Sequence, residues 1–145
     1  MKKSSLMLFL ALHAGVSLAA DELTIPQGMT LDLELYSKYG DVVFHKGSTD
    51  SNSSTPVEFV ALYRDISVDI DSVYQERLDD FASRGLIPDA DCIGFDRYKG
   101  IVVDEGYLST IYLNKSPEAP TYYMVMVQSK QQSVLDDIDA QLCTE

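Results

Sequence analysis

Along this chain the spacing of apolar and polar positions changes period several times, and each change marks an element. Thr121-Tyr-Tyr-Met-Val-Met-Val-Gln128 is the most strand-like run, rich in aromatic and β-branched residues and apolar on both faces. A strand of that kind belongs inside a sheet with cover on each side. From Gln131 to Leu142 the period turns helical, with Val134, Leu135, Ile138 and Leu142 on one stripe. Ser129 and Gln132 offer a capping box at its start, and Cys143 follows its end.

Upstream, Leu31, Leu33 and Leu35 alternate with Thr30, Asp32, Glu34 and Tyr36. That alternation predicts a half-buried strand over Thr30–Tyr36, a turn over Lys38–Asp41 and a returning strand over Val42–His45. Val57–Tyr63 reads as a third strand, extended or restarted by Ile66, Val68 and Ile70. Ser72 and Gln75 then suit a helix start, Tyr74, Leu78, Phe81 and Ala82 a buried stripe, and Gly85 with Pro88 a stop. Asp89–Tyr98 has no period. Ile101–Val103 and Tyr107–Leu113 read as strands around Asp104-Glu105-Gly106. Gly47–Pro56 and Asn114–Pro120 are short on large apolar side chains and read as exposed loops. The expected fold is α+β: a mainly antiparallel sheet with two helices packed on it, in a pseudo-repeated βββα-βββα order without repeated residue identities.

The first residues carry a different message. Lys2 and Lys3 precede a nearly continuous apolar run from Leu6 to Leu18, and Ser17-Leu18-Ala19 has the small-x-small form of a cleavage site. The run is shorter than the ~20 residues of a membrane span. It predicts a signal peptide over residues 1–19 and a single periplasmic domain over 20–145, without the cysteine of a lipoprotein anchor. The whole chain has 11 basic and 23 acidic side chains, a net charge of -12. Loss of Lys2 and Lys3 with the signal leaves 9 against 23, or -14. Such a balance repels nucleic acid and anionic membranes and favours encounter with a basic protein. Cys92 and Cys143 both lie in the exported part, and an even count in an oxidising compartment predicts one disulfide.

Candidate chemistry is sparse. His45 is the only histidine of the mature chain, no G-x-S-x-G elbow surrounds a serine, and no catalytic residue is assigned. His45 reads as a surface or edge residue. Asp89-Ala-Asp91 with Gly94 starts like a calcium loop, but Ile93 and Gly100 occupy ligand positions, so no metal and no cofactor is called. Acids on polar helix faces lack the burial that a general acid needs. Tyrosine stands out instead: nine are present with no tryptophan, and Tyr36, Tyr39, Tyr98, Tyr107 and Tyr122 sit on or near loops, where such rings suit interfaces.

A compact, exported, acidic domain with a disulfide and no catalytic equipment resembles the periplasmic immunity proteins that protect Gram-negative bacteria from cell-wall-degrading effectors of type VI secretion. It also resembles the periplasmic lysozyme inhibitors. The resemblance is architectural; no motif aligns and no functional residue carries over. It implies a non-enzymatic protein that blocks a basic, muramidase-type hydrolase. Two other classes stand beside it: a small periplasmic ligand-binding or envelope-assembly module, and a carboxylate hydrolase. For an inhibitor, the contacts are expected from the two loops, through Asp50, Ser51, Asn52 and Glu118, with Tyr122 as an apolar anchor at the rim. Export carries its own test. Intact-mass analysis of protein recovered from cells should place the mature N-terminus at or near Ala20, in the periplasmic fraction; an uncleaved chain in membranes would contradict it.

Overall fold

The structure, a computed structural model, describes residues 23–46, 58–66, 68–89, 91–103, 106–115 and 121–143. In chain order the elements are β1 (Thr30–Leu31), α1 (Leu33–Tyr39), β2 (Val42–Lys46), β3 (Glu58–Ile66), α2 (Ile70–Ser83), β4 (Asp96–Val102), β5 (Leu108–Lys115), β6 (Thr121–Ser129) and α3 (Gln132–Leu142). The six strands form one sheet in the order β1-β2-β3-β6-β5-β4, antiparallel throughout. The run that looked most strand-like, β6, lies inside the sheet, paired over eight residues with both β3 and β5.

Because side chains alternate along a strand, β6 serves two cores. Tyr123, Val125 and Val127 point one way, with Phe44, Val60, Leu62 and Tyr112, and are covered by Leu135, Ile138 and Leu142 of α3 and by Leu23 and Ile25. Tyr122, Met124 and Met126 point the other way, with Tyr98, Ile111 and Leu113, under Phe81 of α2. The predicted α3 stripe is therefore the one that packs. In the predicted α2 stripe, Tyr74, Leu78 and Phe81 pack while Ala82 is exposed.

The expected order departs from the structure in several places. Thr30–Tyr36 is not a strand: only Thr30 and Leu31 pair, and Leu33–Tyr39 is helical. Local chemistry decides it. Asp32 accepts the Leu35 N–H at 3.0 Å, Glu34 pairs with Lys38 at 2.7 Å, and Gly40, at φ 71°, ends the turn. Val68 and Ile70 do not continue β3, since Val68 lies in a turn and α2 begins at Ile70. Ser72 is inside that helix, Asp69 stands at its cap, and Gln75 bonds forward to Asp79. Gly85 does close α2: the Leu86 N–H reaches the Phe81 carbonyl and the Gly85 N–H that of Ala82. Ser129 does not cap α3 through a box; its hydroxyl accepts from the Gln131 N–H and donates to Glu58. β4 begins at Asp96, five residues earlier than predicted, and a bulge between Tyr98 and Ile101 inserts one residue against β5. Gly100, at φ 68°, occupies the bulge, which returns Ile101 to the face of Tyr98.

The two-helix, pseudo-repeated arrangement is also not what is seen. A third helix, α1, interrupts the first half. An axis relating antiparallel β3 and β6 would stand perpendicular to the sheet and leave both large helices on one face. Instead α2 and α3 lie on opposite faces.

Cys92 and Cys143 are bonded, with Cα atoms 4.7 Å apart and a separation of 51 positions in sequence. The bond ties the end of α3 to the segment before β4. A polar cluster reinforces the same junction. Arg97 of β4 donates to both Asp139 carboxylate oxygens at 2.9 Å and to Asp89 at 2.7 Å, and the Tyr112 hydroxyl donates to Asp139 at 2.8 Å. Burial disfavours the Arg97 charge, but the two carboxylates outweigh it and raise the pKa. Gln141 closes the layer by pairing with the Thr24 backbone at 2.7 and 3.1 Å. Closing a loop of this size is worth about 4 kcal/mol in the chain-entropy model. Urea denaturation should therefore find Cys143→Ser less stable by about 2–4 kcal/mol. Arg97→Ala should cost about 3 kcal/mol, and adding Asp139→Ala should recover part of it, because the single change strands a carboxylate.

Candidate functional site

The two loops singled out from sequence, with Asp50, Ser51, Asn52 and Glu118, lie outside the described residues. Their flanking strands show where they leave the sheet. Residues 47–57 connect β2 to β3 beside the Lys46–Glu58 pair, next to Ser129 at the end of β6. Residues 116–120 connect β5 to β6 beside the Lys115–Tyr122 pair, at the opposite end. Along β6 those ends are about 23 Å apart. Tyr122 is not at a rim: it is 2% exposed beneath α2, edge-on to Tyr74, with Arg77 donating to its hydroxyl. Tyr98 is likewise buried, against Phe81, and Tyr107 carries the Lys130 ammonium over its ring.

Tyr36 and Tyr39 behave differently. Both stand on α1, 53% and 71% exposed, with Leu33 at 71% beside them, and no α1 side chain is buried. They border a groove of about 610 Å³ lined by Tyr36, Ser37, Tyr39, Gly40, Asp41, Val42, Leu62, Tyr63, Arg64 and Tyr123. The register explains the convergence. Arg64 pairs with Tyr123, and Val42 with Leu62, so the start of β2, the end of β3 and the start of β6 meet at one end of the sheet. It is the end from which residues 116–120 depart.

The groove has binding capacity that the fold does not consume. Core aromatics pair edge to face: Tyr74 with Tyr122, Phe81 with Tyr98, Phe95 with Tyr112. Among the described residues, Tyr36, Tyr39, Tyr63 and Tyr123 have no ring partner and no hydroxyl hydrogen bond, and Asp41 and Arg64 have no ion-pair partner. Burial, with a smaller contribution from Asp41, raises the Tyr63 pKa, so its hydroxyl stays protonated and able to donate.

His45 is partly buried rather than a surface residue. Its Nε2 lies 3.1 Å from Asp32 Oδ2, while Asp32 Oδ1 accepts the Leu35 N–H. One carboxylate thus uses both oxygens to fix the start of α1 on β2, and the Leu35 amide first, then His45, holds its pKa below the ordinary value. His45 Nδ1 is buried without a partner among the described residues. No serine or cysteine joins this pair among the described hydrogen bonds, and its contacts anchor a helix. Among the described residues no three His, Cys, Asp or Glu side chains converge as metal ligands, and Asp89 of the calcium-like run is engaged by Arg97 and the Asp91 N–H. No family model, curated protein or solved structure matches the chain.

Asp32 sets a pH dependence for the groove wall. Its folded pKa is depressed, so its contribution is present above its unfolded pKa, near 3.8, and fades as pH falls through the folded value. Asp32→Ala should lower the protection factor of the Leu35 amide several-fold near neutral pH, as read by NMR hydrogen exchange. Asp32→Asn keeps a capping oxygen but cannot ionise, and should remove Asp32's share of the loss of Leu35 protection below pH ~4.

Proposed function

We propose that this chain is an exported, non-enzymatic inhibitor or immunity protein that captures and blocks a basic, muramidase-type peptidoglycan-degrading enzyme in the periplasm. The observation that carries the reading is the unspent apolar and aromatic surface of α1, Leu33, Tyr36 and Tyr39, set on a sheet that two cores and a disulfide make rigid. Tyrosines with exposed rings and polar tips supply anchor area at low ordering cost. The -14 charge of the mature chain supplies long-range attraction to a basic enzyme. The disulfide fits an extracellular or periplasmic site of action, and no described helix is long and apolar enough to cross a membrane. Asp50, Ser51, Asn52 and Glu118 are assigned to the contact surface from the sequence alone, since they lie outside the described residues. The groove itself favours one alternative, a small ligand-binding module, since its volume is in the usual range for such sites, about 300–1,000 Å³.

The experiment is capture of cell-wall hydrolases by mature protein, followed by calorimetry and lysis assays with the captured enzyme. Tyr39→Ala should weaken the complex by about 1–3 kcal/mol. Added salt should slow association much more than it speeds dissociation. Failure to capture any hydrolase, or wild-type affinity in a Tyr36→Ala, Tyr39→Ala double variant, would overturn the reading.

A further inference from the structure

We infer that the groove between α1 and the sheet end formed by β3 and β6 is a binding site for a neutral oligosaccharide. The inference goes beyond inhibition and stands without it. A pyranose ring has an apolar C–H face and a rim of hydroxyls, so it calls for aromatic faces and polar groups side by side. Tyr36 and Tyr39 offer both, Tyr63 adds a half-buried ring, and Tyr123, packed in the core, closes the floor; among the described residues none of the four hydroxyls has a hydrogen-bond partner. Vicinal hydroxyls are best met by a forked donor and a forked acceptor. Arg64 and Asp41 supply one of each to the groove lining, and both are without an ion partner among the described residues.

Charge selects the class of ligand. The mature chain carries -14, yet the charged side chains lining the groove, Asp41 and Arg64, cancel. A cationic peptide meets Arg64 there, and an anionic ligand meets the field of the whole domain. A neutral, hydroxyl-rich molecule meets neither cost. Size agrees: about 610 Å³ accommodates more than one sugar ring, and the groove is open to solvent along Tyr36 and Tyr39, so a chain can run through it.

The test titrates mature protein, with no enzyme present, using the N-acetylglucosamine tetramer and, separately, maltotetraose. NMR shift mapping locates the site, and tyrosine fluorescence gives affinity without interference because the chain lacks tryptophan. The expected result is a Kd of about 0.1–1 mM for at least one glycan, with shifts confined to residues 36–42, 62–64 and 123. Tyr39→Ala should raise Kd about tenfold or more and Arg64→Ala about threefold. Tyr39 is exposed enough that its loss leaves the fold intact, checked by circular dichroism, and Tyr107→Ala should bind as wild type. No response to either glycan at about 10 mM, shifts that map elsewhere, or saturation of the groove by a tetra-arginine peptide with the glycans silent would each overturn the proposal. Because hydrolase capture is absent from this assay, its failure and the failure of the inhibitor reading are distinct results.

Discussion

A guanidinium with 7% of its side chain exposed, held between two carboxylates, is the junction on which the fold closes. Arg97 sits on an edge strand, Asp139 on the last helix, and Asp89 just ahead of the strand. Buried ion pairs of this kind contribute little net stability, because desolvation offsets most of the attraction. What they impose is position. Bidentate geometry allows Asp139 one place, and the disulfide from Cys143 fixes the same helix one turn later. The covalent bond stabilises, the ion cluster sets the register, and together they keep Leu135, Ile138 and Leu142 over the inner strands. The groove residues on the strands, Val42, Leu62, Tyr63, Arg64 and Tyr123, are placed by that sheet.

The groove wall follows different rules. α1 has seven residues and buries none, and a helix of that length does not persist alone in water. It is maintained by its ends: Asp32 and His45 at one, Gly40 at the other. The rings it displays are therefore only as ordered as a few polar contacts make them. A surface of this sort adjusts to what it meets while the strands behind it stay fixed.

Legibility followed the range of the interactions. β6 was readable because its run is apolar, aromatic and β-branched on both faces, α3 because one helical period ran through it, and the disulfide because two cysteines allow one pairing. Thr30–Tyr36 misled because leucines at every second position suit a strand, while the signals that decide it, Asp32 three residues ahead of a free amide, Glu34 with Lys38, and Gly40, are local and compete with the period. The start of β4 was hidden because Arg97 looks like a loop residue until Asp139, 42 residues away, neutralises it. Tyr36 and Tyr39 were visible as interface candidates, whereas Tyr63, Arg64 and Tyr123 joined them only through pairing between distant strands. Tyr122 and Tyr123 show the limit well: neighbours in sequence, they enter opposite cores.

The bulge in β4 has a consequence for how the molecule meets other chains. Strand addition needs a straight edge with a run of free backbone donors and acceptors. One edge of this sheet is a strand of two residues, and the other is bent at Gly100 and carries Lys99 beside the bend. Neither is a template. Recognition by strand addition is thereby disfavoured, and the domain is spared the open-ended stacking that an unprotected sheet invites.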